Sequence, residues 1–243
     1  MKNKIKLSSV TTYKFGGFCN NYYEITEENI SQYREIFSGK DNFILGKGSN
    51  VAFSDKGYEG NVIRPNFNNI SYNENNSEIN VGSSVYLPDL ARFCKNNNLI
   101  NSEFLIGIPG SVGGAITMNA GAYGWEFSDL FVSLDAYNFI KNDYETLDKQ
   151  QIKFGYRVSN NLEGKIIVSA KLKGIKGDPK LIKERLKEYT TYRKNTQPAG
   201  IYNAGSVFKN HKDYSAGELI DKAGLKGYEV DGVRVSSKHA NFF

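Results

Sequence analysis

Two segments carry the side chains best suited to chemistry on a charged substrate. "FGYRVSN" places Tyr156 and Arg157 just before a strand-like run, and "AGSVFKN" places Ser206 directly after a glycine. A guanidinium is a permanent cation that can stabilise negative charge developing on a carboxylate or an enolate. The competing reading of Arg157 is a solvated or paired charge at the end of an element. Ser206 has no His or Asp near it in sequence, which argues against an activated nucleophile. A proton donor needs neither partner; the alternative is a hydroxyl closing a turn within a segment that otherwise reads as a strand. Arg193, Lys209 and Lys226 supply positive charge around this serine in sequence.

Backbone is the second source of chemistry. In "LGKGSN", Gly46, Lys47, Gly48, Ser49 and Asn50 follow a strand-like run, and such a turn presents successive N–H groups in an arc suited to phosphate oxygens. A plain β-turn remains open, because the stretch is neither a Walker loop nor a G-x-G-x-x-G leading into a helix. "GIPGSVGGAITMNAGAYG" then places six of the chain's 24 glycines within eighteen residues. Glycine costs entropy on folding, so such a cluster implies tight turns, a close helix–strand crossing, or main chain lying against a ligand. Two clusters in one chain point to a ligand with a long, phosphate-containing body.

Other classes of function are disfavoured. Net charge is +5, but 31 basic residues are interspersed with 26 acidic ones, without a basic stripe carrying interleaved aromatics, so no nucleic-acid partner is expected. Two Cys and two His, with Cys19 and Cys94 far apart, support neither a metal site nor a disulfide framework. The basic start "MKNKIKLSSVTTYKF" lacks the apolar region of a signal peptide, and no apolar run reaches the roughly 20 residues of a membrane span. The expectation is a reduced, cytoplasmic protein without a membrane partner.

The elements that must position these residues alternate between strand and helix, indicating an α+β or α/β chain. "NFILGKGSNVAFS" reads as strand, turn, strand, and "GNVIRP" as a strand ended by Pro65, while "NFNNISYNENNSE" reads as a turn-rich connection into "INVGSSV". Thr26 is the expected N-cap of "EENISQYREIF", with Ile30, Tyr33 and Phe37 on one face. Pro88 opens "PDLARFCKNN", whose Leu90, Phe93 and Cys94 form a buried stripe. "FVSLDAYNFI" and "KIIVSAKLKG" read as long strands. Gly174 and Gly177 then break the pattern, and Asp178 and Pro179 start a helix whose inner side is Leu181, Ile182, Leu186 and Tyr189. A domain boundary is expected near residue 175. "SAGE" at Ser215–Glu218 reads as a capping box for a short helix that Gly224 closes.

Taken together and in order, these segments resemble the UDP-N-acetylenolpyruvoylglucosamine reductase family. "TTYKFGG" resembles its N-terminal signature, "LGKGSNVAFSDKGYEGNVIR" its first flavin loop, "GIPGSVGGAITMNAGAYG" its second, and "YRVS" its active-site arginine motif. "RKNTQP", "AGSVFKN", "AGELIDKAGLKG" and "VSSKHANF" resemble its substrate domain, and the short join between "FKN" and "SAGELI" is similar to the family's shorter type. The resemblance implies an α+β fold. Residues 1–64 and 65–174 would be two subdomains of an FAD-binding domain of the vanillyl-alcohol oxidase type, and 175–243 a small substrate-binding domain.

The resemblance further implies noncovalent FAD, NADPH as co-substrate, a UDP-sugar substrate and a monomeric enzyme. NADPH would reduce the flavin and leave, and the enolpyruvyl sugar nucleotide would then receive hydride at C3 and a proton at C2. By the same resemblance, Gly46, Lys47, Gly48, Ser49, Asn50, Pro109, Gly110, Ser111, Gly113, Gly114, Asn119, Ala120 and Gly121 bind the cofactor. Tyr156, Arg193, Asn210 and Lys226 bind substrate, Arg157 stabilises the enolate, and Ser206 donates the proton. The family continues past "HANF" to a further strand, a helix and a catalytic Glu, whereas this sequence stops at Phe243, and neither Glu218 nor Glu229 stands in the matching context. That departure implies a substrate domain short of core. It also leaves a second reading, a homologue that binds FAD or a UDP-sugar with impaired or absent turnover. A flavin oxidoreductase acting on another small substrate is disfavoured by the joint presence of "YRVS" and "AGSVFKN".

Overall fold

The computed structural model describes residues 4–37, 41–198 and 202–243; the first residues of the basic N-terminal segment lie outside them. The fold begins with a parallel three-stranded sheet, β1 (Cys19–Ile25), β2 (Asn42–Ile44) and β3 (Tyr58–Pro65), in the order β1-β3-β2. A parallel sheet needs cover on both faces, and adjacent residues of β3 show it. Val62 packs in a cluster with Leu7, Cys19, Leu45 and Phe53, and Ile63 in one with Tyr23, Ile25, Ile30 and Phe37. Between β1 and β2, Asn29 rather than Thr26 precedes the helical turn: a 3-10 turn, Ile30–Tyr33, runs into α1 (Arg34–Phe37). The Asn29 amide explains the change, since its oxygen accepts the Thr26 N–H at 2.9 Å and its nitrogen donates to the Glu24 carbonyl at 3.1 Å. Ile30, Tyr33 and Phe37 do share one cluster. Past the first glycine loop, residues 51–54 form no strand; the Ser54 carbonyl instead accepts the N–H groups of Gly17 and Gly57, both at 2.9 Å.

The Asn-rich connection contains a strand that its composition concealed. β4 (Ile70–Asn73) pairs antiparallel with β5 (Glu78–Gly82), and Ile70 and Tyr72 pack against the main core. There follow α2 (Leu87–Asn96), a 3-10 turn at Glu103–Gly107, α3 (Val112–Thr117), the hairpin β6 (Gly121–Ala122) with β7 (Trp125–Glu126), and α4 (Phe127–Leu130). Then come β8 (Phe131–Asn138), β9 (Asp143–Asp148), the hairpin β10 (Phe154–Gly155) with β11 (Val158–Ser159), and β12 (Lys165–Lys173). Strands β4-β5-β12-β8-β9 form one antiparallel sheet in that order.

The inner strands β8 and β12 bury residues on both faces of this sheet, which accounts for the long apolar runs in "FVSLDAYNFI" and "KIIVSAKLKG". Ile166 and Val168 of β12 face the cluster shared with the parallel sheet, whereas Ile167, Ala170 and Leu172 face α2 and α3. Strict alternation would place 167 and 170 on opposite faces; a register shift between Ile167 and Ser169 against β8 restores the inward phase. Cys19 and Cys94 are both free and buried, and burial pushes the Cys94 thiol up to about 11.

The helix expected after residue 175 is α5 (Pro179–Thr196), with the Asp178 carboxylate accepting the Lys180 N–H at 2.9 Å and proline in its first turn. Tyr189 on α5 stacks on Tyr123 at 4.0 Å between ring centres, and the Tyr123 hydroxyl donates to the Tyr189 carbonyl at 3.0 Å. This pins α5 to the end of the second glycine loop. Residues 202–243 hold α6 (Ala216–Lys222) and the hairpin β13 (Glu229–Val230) with β14 (Val233–Arg234). Ser215 caps α6 by accepting the Glu218 N–H at 3.4 Å, while the Glu218 carboxylate pairs with Lys222 instead of completing the box. Gly224, at φ +72°, follows the C-cap.

"AGSVFKN" is not the expected strand. The Asn241 side chain accepts the Phe208 N–H at 2.9 Å and donates to the Phe208 carbonyl at 2.8 Å, and the Asn241 carbonyl accepts the Val207 N–H at 3.0 Å. A side chain thereby satisfies the backbone that a ladder would otherwise pair. Among the described residues no helix is long and apolar enough to cross a membrane.

Candidate active site

β2 and Leu45 deliver the first glycine loop. The Leu45 N–H donates to the Ile63 carbonyl at 2.8 Å; after it, the N–H groups of Gly46, Lys47, Gly48, Ser49 and Asn50 have no acceptor among the described residues. Five successive unpaired donors are the backbone chemistry of an anion cradle. Gly48 closes the loop at φ +68°, and a Cβ there would lie 2.3 Å from the Val10 carbonyl oxygen, so the loop can lie against residues 10–12 with glycine alone. The Gly48 carbonyl accepts the Thr12 N–H at 2.9 Å. Beside the loop, Lys47 and Arg64 face a pocket of about 350 Å³ lined also by Ser9, Thr11, Thr12 and Lys14. Burial, and then the Arg64 charge, push the Lys47 ammonium below its ordinary value, and the Thr11 hydroxyl is buried without a partner among the described residues.

The second loop lies directly on the first. Ser49 Oγ donates to the Pro109 carbonyl at 3.0 Å, and a Cβ on Gly46 would lie 2.6 Å from Ser111 Oγ. Ser111 caps α3 by accepting the Gly114 N–H at 3.4 Å. The glycine cluster has two causes. Gly113 is a packing position: its N–H donates to the Ser83 carbonyl at 2.8 Å, and a Cβ would lie 3.1 Å from Ser83 Cβ. Gly114 is exposed, and a Cβ there would meet Ser111 Oγ alone, at 3.4 Å. Among the described residues no neighbour requires a glycine at 114.

Arg157 occupies the turn between β10 and β11 at φ +57°, a left-handed conformation that costs energy for a non-glycine residue. Its Nη2 donates to the Gly121 carbonyl at 2.8 Å and its Nη1 to the Asn119 carbonyl at 3.3 Å. Nη1 also lies 3.7 Å from Glu126 Oε1, and the guanidinium sits 4.9 Å from the Tyr156 ring centre. Asn119 is buried and spends its side chain within the protein, donating to Glu126 Oε2 at 2.7 Å and to the Gly155 carbonyl at 3.0 Å while accepting the Ser128 N–H at 3.0 Å. Ala120 exchanges backbone bonds with Ala115 and Phe127. Glu126 was absent from the sequence-derived site. Its one signal was an acid three residues before Asp129 at a helix start, and the two do form a reciprocal capping box.

Ser206 is exposed, and the segment carrying it is tied at both ends to the elements just described. The Thr12 hydroxyl lies 2.7 Å from the Asn203 carbonyl and 3.1 Å from that of Gly48, linking this segment to the first loop. The Tyr156 hydroxyl accepts the Asn210 N–H at 3.3 Å, linking it to the Arg157 turn. Asn210 Oδ1 accepts the Ala216 N–H at 3.0 Å at the start of α6. The segment carrying Ser206 is thus bonded before the serine to Thr12, which lies against the first loop, and after it to Tyr156, next to Arg157.

Arg193 comes from α5 and lies against the second loop; a Cβ on Gly107 would sit 2.0 Å from its Cδ. Burial lowers its basicity, and Tyr123 and Tyr86 partly offset that. Lys226 pairs with Asp221 at 2.5 Å. Burial depresses His239, and the charges of Lys226 and Arg193 lower it further. Among the described residues no group of three His, Cys, Asp or Glu could hold a metal ion.

Comparison with known proteins bears on this geometry. The FAD binding domain family matches residues 38–143, and the family described as UDP-N-acetylenolpyruvoylglucosamine reductase, C-terminal domain, matches residues 197–243. The UDP-N-acetylenolpyruvoylglucosamine reductase of Rickettsia conorii is 38% identical over 99% of this chain and 82% of its own length. The enzyme of the same name from Orientia tsutsugamushi is 37% identical over 99% and 81%. The crystal structure of the Thermus caldophilus reductase superposes with a TM-score of 0.87 at 31% identity, covering all of this chain and 87% of that one.

Proposed function

Because the chain belongs to the UDP-N-acetylenolpyruvoylglucosamine reductase family, we propose that it reduces UDP-N-acetylglucosamine enolpyruvate to UDP-N-acetylmuramate, with FAD as noncovalent cofactor and NADPH as reductant. The observation that carries this reading is the convergence of Arg157, the Ser206 segment and the five unpaired N–H groups of 46–50, bridged by Thr12 and Tyr156. The residues fit the cofactor. An unpaired N–H row suits a diphosphate, and Gly114 keeps main chain bare where the protein itself has room for a side chain. Gly46 to Asn50 would hold the diphosphate, with Pro109, Gly110, Ser111 and Gly114 along the rest of the molecule. Asn119, Ala120 and Gly121 would shape the wall that carries Arg157.

When bound, the flavin supplies the hydride chemistry, which no side chain of the chain can perform. The protein's own residues orient the enolpyruvyl group and manage charge and proton. Arg157 has two of its N–H groups on carbonyl oxygens and Glu126 Oε1 3.7 Å from Nη1, which leaves the Nε–H and the second Nη2 N–H, unpaired among the described residues, for the substrate carboxylate. As hydride arrives at C3, negative charge spreads toward that carboxylate, where a positioned guanidinium stabilises it most. Ser206 Oγ–H delivers the proton to C2, completing addition of one hydride and one proton across the double bond. Tyr156, Asn210, Arg193 and Lys226 hold the sugar nucleotide. In the same reading 1–64 and 65–174 bind FAD, 175–243 binds substrate, and the enzyme acts as a cytoplasmic monomer whose product feeds the cell wall and hence cell shape and division.

The test is NADPH oxidation by the purified, FAD-loaded protein. It should depend on the enolpyruvyl sugar nucleotide, with product one hydride and one proton heavier, and Arg157→Ala should lower it by about 10²–10³. Oxidation of equal rate without that substrate, or with Arg157→Ala, would overturn the assignment.

A further inference from the structure

Glu126 takes no part in the roles above, yet its carboxylate is the acidic group nearest the reacting arginine. We propose that Glu126 is the positioning residue of Arg157, an inference that rests on the functional reading just given. Three contacts fix the carboxylate. Oε2 accepts from Asn119 Nδ2 at 2.7 Å, the side chain accepts the Asp129 N–H as cap of α4, and Oε1 faces Arg157 Nη1 at 3.7 Å. Asn119 is itself locked, being buried, at φ +40°, and bonded to the Ser128 N–H and the Gly155 carbonyl. The chain Ser128–Asn119–Glu126–Arg157 therefore runs from the start of α4 to the tip of the β10–β11 hairpin. Such a support adds a charge–charge attraction to the two carbonyl acceptors that orient the guanidinium.

Gly121 is an independent sign of this arrangement. A Cβ there would lie 2.5 Å from the Trp125 carbonyl, 3.1 Å from Glu126 Cγ and 3.2 Å from Arg157 Nη1. The glycine keeps clear the space in which carboxylate and guanidinium meet. Both side chains remain about one-third exposed, 36% for Glu126 and 30% for Arg157, so the pair borders the open site and is not a core ion pair. The carboxylate neutralises part of the guanidinium charge from one side and leaves the opposite N–H edge for an anionic substrate group. Enzymatic rates are sensitive to misplacement of such a group on the scale of one ångström.

Glu126→Gln tests this, because glutamine keeps an oxygen that can accept from Asn119 Nδ2 while removing the charge. Two readouts are taken on the FAD-loaded protein: rotation of the Arg157 guanidinium, from nitrogen-15 NMR of its side chain, and the two half-reactions, followed anaerobically. Guanidinium rotation should quicken severalfold. Flavin reduction by NADPH should stay within about twofold, and reoxidation by the enolpyruvyl substrate should slow by about tenfold or more. In an Arg157→Lys background Glu126→Gln should add little, since the two act as a unit. Unchanged guanidinium rotation, equal slowing of both half-reactions, or additive effects in the double variant would overturn the proposal. If the unsubstituted protein is not reoxidised by this substrate, the functional reading fails instead, and the NMR measurement still decides whether Glu126 holds Arg157. Should Glu126→Gln fold poorly, Glu126→Asp keeps a capping carboxylate while withdrawing it from Arg157, and the same pair of readouts applies.

Discussion

Gly114→Ala separates a glycine kept for a ligand from one kept for the fold. The added methyl would meet no protein atom nearer than Ser111 Oγ at 3.4 Å, an ordinary contact. Alanine in place of glycine inside α3 lowers the entropy lost on folding by about 0.5–1 kcal/mol. For a chain of this size that corresponds to a melting temperature raised by roughly 1–4 °C in the absence of FAD. With FAD bound against the main chain the same methyl becomes overpacking, costing about 1–3 kcal/mol. FAD affinity should therefore fall by roughly 5- to 150-fold. Calorimetry of the apoprotein and a flavin-fluorescence titration measure the two effects. Gly113→Ala is the internal control: its methyl would press on Ser83 Cβ at 3.1 Å and the Ser83 carbonyl at 3.3 Å, so it should destabilise the apoprotein directly. A Gly114→Ala protein that melts lower yet binds FAD normally would place 114 among the packing glycines.

Ser206→Ala should leave flavin reduction by NADPH within about twofold and slow reoxidation by the enolpyruvyl substrate by 10²–10⁴, as loss of a general acid does; stopped-flow absorbance of each half-reaction checks it, and equal slowing of both would count against a proton donor. Gly121→Ala forces a methyl to 2.5 Å from the Trp125 carbonyl and 3.2 Å from Arg157 Nη1. It should cost about 1–3 kcal/mol by denaturant titration and lower turnover beyond what the unfolded fraction explains. His239 is held below its ordinary value of 6.5, chiefly by burial. The unfolded chain thus binds more protons between the folded value and 6.5; His239's contribution to stability is complete above about pH 6.5 and declines as pH falls. Melting curves across this range should show the decline, and His239→Gln should flatten it.

Much of this fold was legible because local pattern and long-range packing agree. β8 and β12 are long apolar runs for the physical reason that both sheet faces are covered, and α5 begins where Asp178 and Pro179 say it should. β4 was hidden because Ile70 and Tyr72 are its sole apolar anchors within an Asn-rich stretch. The Ser206 segment misled in the opposite sense: Val207 and Phe208 have strand-like side chains, but Asn241 takes their backbone bonds. The two glycine loops could be seen as loops. Which glycine serves packing depended on partners such as Ser83 and Arg193, remote in sequence. Glu126 went unseen for the same reason, since it meets Arg157 through the placement of β10 and β11 beside β6 and β7, which no local pattern encodes.

The proposed passage of a hydride from NADPH, through a bound flavin, to an enolpyruvyl sugar nucleotide can be followed in two steps. Under anaerobic conditions the FAD-loaded protein is bleached with one equivalent of NADPH, freed of nucleotide, and mixed with UDP-N-acetylglucosamine enolpyruvate while flavin absorbance is followed. The oxidised flavin spectrum should return in full, with one UDP-N-acetylmuramate formed per flavin. A flavin that stays reduced after the substrate is added, and returns when oxygen is admitted, would contradict it.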